Sequence, residues 1–155
     1  MTAQTFKSQK GFTLIELLVV IGILAVLLAI TLIAINPARQ FGQANDTKRR
    51  SDITQVLNAV GQYSASNAGN LPAGLSASVS AGLNNTTVLV GLCNLLVTEY
   101  LPALPVDPRI TNPGGVDEAE CNGTWDTGYT ISVDANNRVT VTATGYDNTP
   151  ITVTR

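Results

Sequence analysis

From Phe12 to Ile35 every residue is apolar or small except Thr13, Glu16 and Thr31, with Gly22 the one glycine. Those 24 residues make roughly 36 Å of helix at the standard rise, enough to cross the hydrocarbon of a bilayer. A secretory signal peptide has an apolar core of only about 7 to 15 residues, followed by a small-residue cleavage site. This run is longer and carries an acid. An ionisable group inside a membrane segment costs about 2.5 to 3.5 kcal/mol at the centre and is usually there to pair with something. Glu16, one turn in, therefore calls for a partner.

Beyond this run the chain is ordinary. Of 155 residues, 45% are hydrophobic and 13% charged, and the net charge is -2, so bulk charge points to no nucleic-acid partner. Some 110 to 120 residues remain after the apolar segment, roughly the size of one modest domain. There is no histidine, which removes the commonest general base and metal ligand. Both cysteines, Cys93 and Cys121, follow the apolar run, on the side exported if that run is a membrane segment. There a disulfide is expected in preference to two free thiols.

The segment 10-KGFTLIELLVVIGIL-24 resembles the N-terminus of type IV pilins and of the pseudopilins of type II secretion: a charged leader, Gly, then Phe-Thr-Leu-Ile-Glu and an apolar helix. The resemblance implies cleavage by a membrane-bound prepilin peptidase between Gly11 and Phe12, then N-methylation of Phe12. It makes residues 1–11 a leader, whose charged side chains Lys7 and Lys10 suit the cytoplasmic side. The cut would leave an α-amino cation on Phe12, and Glu16 stands one helical turn away. In a low dielectric the unlike pair is far better than either charge alone. Phe12 and Glu16 are thus the expected assembly residues, with the glutamate meeting either its own amine or a neighbour's.

Past Ile35, apolar Ile53, Val56, Leu57, Val60 and Tyr63 recur at helical spacing, which predicts an amphipathic helix over 36–68. Gly69, Asn70 and Pro72 stop it. Asn36-Pro37 predicts either a kink or a restart with Asn36 as N-cap. Many pilins carry their helix proline earlier, where this chain has Ile33. The cluster 48-KRR-50 reads as a solvated helix face or an intersubunit ion pair in preference to a nucleic-acid patch.

Residues 69–155 are expected to form a globular head. The stretch 71-LPAGLSASVSAGLNNTT-87 reads as irregular connection. A short helix is predicted over about 88–100, stopped by Pro102, Pro105 and Pro108. Alternation in Tyr129, Ile131 and Val133, then Val139, Val141 and Ala143, then Ile151 and Val153 predicts three antiparallel strands within 128–154, with a turn at Asp134. Their apolar face needs a cover, which the stripe around Val56 and Val60 supplies. The fold class is α+β: a long N-terminal helix, membrane-spanning in its first half, packed on a small antiparallel sheet. The segment YLPALPVDP at 100–108 resembles the Leu-Pro-x-Asp-Pro of many pseudopilins. Calcium sits before the last strands in major pseudopilins, but the acids Asp117, Glu118, Glu120 and Asp126 lack EF-hand spacing and read as an acidic surface loop.

No nucleophile and base pair, metal-ligand spacing or phosphate loop is present, so the chain reads as no enzyme, with no cofactor and no metal. What the resemblance implies is a pilin that forms a helical homopolymer, a type IV pilus serving adhesion, twitching motility or DNA uptake. The alternative is a major pseudopilin of type II secretion. Partners are then other copies of the chain, the prepilin peptidase and an assembly platform in the inner membrane, with no specific nucleic acid. The expected location is that membrane before assembly and the cell-surface filament after it.

Overall fold

In the computed structural model the residues described are 11–85, 89, 91–110 and 114–155. The chain divides into two compact units, one ending at Gln40 and one running from Phe41 to Arg155. Residues 1–10, Lys7 and Lys10 among them, lie outside the described residues.

The first unit holds α1, Leu14–Ala34, in which every residue is exposed. Ile35 closes it in an extended conformation, its N–H bonded to Thr31 O at 3.0 Å. Two residues on, Pro37 opens α2, Pro37–Ser66, and Asn36 Oδ1 accepts the Arg39 N–H at 3.3 Å. Of the two outcomes open to Asn36-Pro37, the local structure takes the restart. Proline at the first helical position sacrifices a donor that has no intrahelical partner there anyway.

In the second unit α2 buries Ile53, Val56, Leu57, Ala59 and Val60, four of them on the predicted stripe. The fifth stripe residue, Tyr63, is half-buried and meets Tyr100 edge-to-face at 5.9 Å. The helix ends where Ala68 and Gly69 turn left-handed (φ 56° and 87°) and Gly69 N–H returns to Ser64 O at 2.8 Å, satisfying a terminal carbonyl.

Four antiparallel strands form one sheet in the order β1-β2-β3-β4: β1 Ser80–Asn84, β2 Asp126–Val133, β3 Val139–Thr144 and β4 Pro150–Thr154. The three predicted strands are β2 to β4, with Tyr129, Ile131, Val133, Val139, Val141, Ala143 and Ile151 buried in one core with the α2 stripe. β1 is an addition, arising from the Ala/Ser/Gly/Asn-rich stretch read as irregular. It lacks the β-branched and aromatic residues that mark a strand, and its order comes from pairing Ala81 with Ile131 and Gly82 with Thr130. The register then shifts between Gly82 and Asn84. Opposite this shift, Gly128 adopts φ 73° and its backbone lies close against Asp107 and Ile110, a place for glycine on both counts.

The helix predicted over 88–100 is a second correction: α3 spans only Leu92–Leu96. Left-handed Gly91 (φ 94°) precedes it, and Val97 leaves it in an extended conformation, with Thr98 at φ 76°. Leu89, Leu92, Leu96 and Val97 are all buried, so their spacing reports a connection immersed in the core more than one face of a helix. Val88 lies outside the described residues. One further turn, α4 at Glu118–Cys121, precedes β2.

Candidate assembly site and its bracing

At the start of α1, Thr13 is the N-cap. Its backbone N–H and its hydroxyl each donate to Glu16 Oε2 at 2.8 Å, and Glu16 N–H donates to Thr13 Oγ1 at 3.3 Å. This reciprocal capping box satisfies helix-terminal donors. Glu16 thus points back along its own helix toward Phe12, and both bonds it accepts fall on one carboxylate oxygen. Phe12, Ile15, Glu16, Val19 and Val20 share one face, bordering a shallow groove. Gly11 and Phe12 precede the helix in exposed backbone, Phe12 at 85% exposure. The Thr-x-x-Glu signature was legible in residues 13–16, and it gives Glu16 a local role beside the one its isolation suggested.

α1 is long and apolar enough to cross a membrane. Its only acidic residue is Glu16. Thr31, the one hydroxyl within the helix, returns its O–H to Leu28 O at 2.9 Å, so it presents no unmet donor to lipid or to another helix.

The head contains a polar centre that spacing alone could not reveal. Arg49 is 2% exposed. Its Nε and Nη2 grip the two oxygens of Asp107 at 2.9 and 3.0 Å, and Nη1 reaches Asp46 at 2.8 Å. Arg109 adds its backbone N–H and side chain to the same Asp107 carboxylate. Burial pulls the Asp107 carboxyl upward, yet the bonds from Arg49 and Arg109 outweigh it and hold its pKa at about 2. Beside this cluster Lys48 pairs with Asp52 at 2.8 Å, and the buried Tyr129 hydroxyl donates to the same Asp52 oxygen at 2.8 Å. Burial and then the Asp52 carboxylate push the Tyr129 phenol upward, so it stays a donor.

The 48-KRR-50 cluster is therefore corrected: Arg49 is neither solvated nor held for another subunit, but fixes α2 to the Leu104–Pro108 segment. Asp107 is the acid of that Leu-Pro-x-Asp-Pro element. Lys48 is internally paired as well, and Arg50 alone of the three is exposed and makes no ion pair among the described residues.

Cys93 and Cys121 are joined in a disulfide with Cα atoms 5.4 Å apart, tying α3 to α4. In the acidic loop, Asp117 and Glu120 form a second capping box, with bonds of 3.0 and 3.3 Å, and Asp126 accepts the Gly128 N–H at 2.8 Å. These acids serve local backbone. Among the described residues no three His, Cys, Asp or Glu side chains converge as a metal site.

Comparison with known proteins adds one finding. Residues 6–32 match the family described as the prokaryotic N-terminal methylation motif. No curated protein and no solved structure matches the chain. The match takes in residues 6–11, the Gly11-Phe12 junction, the capping box and most of α1. The N-terminal segment of this chain thus carries the prokaryotic N-terminal methylation motif, ahead of an α+β head.

Proposed function

We propose that this chain is a structural subunit that is cut between Gly11 and Phe12, methylated on Phe12, and polymerised through α1 into a type IV pilus. The observation that carries the reading is the methylation motif lying on a fully exposed apolar helix whose one acid stands beside the cut. An exposed apolar surface of that size needs lipid or other helices around it. The inner membrane stores the subunit through α1, and the filament core replaces the lipid. Cleavage by the prepilin peptidase creates the Phe12 cation, which meets the Glu16 carboxylate of the same or a neighbouring copy. Adhesion, twitching motility and DNA uptake are the surface roles that such a filament serves.

The second reading is a major pseudopilin of type II secretion, favoured by the Leu104–Pro108 element and the acidic loop. N-terminal mass spectrometry tests the common part: a chain beginning at methylated Phe12 supports it, and one still beginning at Met1 in cells that hold the peptidase sinks it. Imaging with antibody to the head separates the two filaments. Long labelled surface fibres are expected of a pilin, and none at normal expression of a pseudopilin.

A further inference from the structure

Between α4 and β2 lies Asn122-Gly123-Thr124, an Asn-x-Thr sequon whose middle residue is not proline. All three residues are exposed, while Cys121 and Trp125 on either side are buried and hold the triplet at the surface. Asn122 is the C-cap of α4, and no regular structure intervenes before β2 opens at Asp126. Its Oδ1 accepts from Asn94 Nδ2 at 3.3 Å, which leaves its own Nδ2, the atom used in glycosyl transfer, outside that bond. Three other sequons begin at Asn45, which lies within α2, and at Asn84 and Asn85, whose threonines lie outside the described residues. Asn85 already donates its Nδ2 to Gly123 O at 2.8 Å. Glu120 stands two residues before Asn122, so this sequon also has the longer form with a leading acid.

We infer that Asn122 is an N-glycosylation site. The inference rests on the export of the head proposed above, because the donor and its transferase work on the outer side of the membrane. The donor class is an oligosaccharide carried on a polyprenyl diphosphate. Asn122 Nδ2 attacks C1 of the first sugar and the C1–O bond to the diphosphate breaks. The lipid diphosphate leaves with that electron pair, and the nitrogen gives one proton to a base of the transferase. Thr124, exposed two residues on, offers the hydroxyl by which the enzyme recognises the acceptor. A bulky, hydrophilic glycan at this point is accommodated by solvent. The competing reaction of an Asn-Gly pair is attack of the Gly123 nitrogen on the Asn122 side chain with loss of ammonia. Here the Gly123 N–H is bonded to Glu120 O at 2.9 Å and Asn122 keeps helical backbone angles, which disfavours that attack.

The test is mass spectrometry of peptides and of the intact N-terminus of the full chain, purified from the cells that make it. The Asn122 peptide is expected to carry a glycan mass, lost in Asn122→Gln and in Thr124→Ala and retained in Thr124→Ser. Melting curves matching wild type show that any loss is not misfolding. A wild-type Asn122 peptide found only at its bare or deamidated mass overturns the inference. If that chain begins at Phe12 the filament reading still stands, whereas a chain beginning at Met1 fails that reading separately.

Discussion

Glu16 and Arg49 are charged residues in apolar surroundings, and they answer the same physical demand differently. Glu16 is capped by Thr13 at its own helix end, which orients the carboxylate toward the residue that cleavage would make a cation. Glu16→Ala should leave processing after Gly11 intact and reduce filament incorporation to near nothing; wild-type yield of assembled subunit would count against the pairing. Arg49 meets Asp107 and Asp46 within the head, so removing it leaves a carboxylate buried without its partner. Arg49→Ala should cost about 3 to 5 kcal/mol, whereas the exposed Arg50→Ala should stay within about 0.5 kcal/mol. Denaturant titration of both variants compares them, and equal midpoints contradict the buried role. The same carboxylate sets a pH dependence. Its pKa is depressed in the fold to about 2 from an ordinary 3.8, so its contribution is complete above about pH 4 and is lost as pH falls toward 2. The melting temperature should hold from neutral pH down to that range and then drop. In Asp107→Asn that part of the drop should vanish.

Among the elements, the contrast is between those that carry their own signal and those made by contact. α1, α2 and the hairpin strands β2, β3 and β4 announce themselves through run length or alternation. α3 shrinks to Leu92–Leu96 and β1 appears where side chains are small. For these two the deciding term is burial and pairing with other parts of the head, which outweighs local preference. The disulfide belongs to this scale because it joins the two shortest helices across 28 residues of sequence. Closing a loop of that length stabilises by about 3 to 4 kcal/mol on the chain-entropy argument. Reduction, or Cys93→Ser with Cys121→Ser, should therefore shift the denaturant midpoint of the head downward by a corresponding amount. An unchanged midpoint would mean that α3 and α4 dock as well without it.

At the scale of the whole molecule the two units have opposite needs. The unit from Phe41 onward holds the entire buried core, while α1 buries nothing. A fragment spanning Phe41–Arg155 should fold in water, melt cooperatively and elute as a monomer, and the full chain should require detergent or lipid. Aggregation of that fragment in gel filtration would show that the head depends on the N-terminal unit. The division explains how much could be read early. The membrane-length helix, its lone acid, the methylation motif and the alternation of the last three strands are local patterns, set by residues a few positions apart, and their physics is that of solvation and periodicity. The Arg49–Asp107 clasp joins residues 58 apart, β1 gains its order from β2, and α3 is cut short inside the core. Those depend on which side chains the fold brings together, and burial, not spacing, decided them.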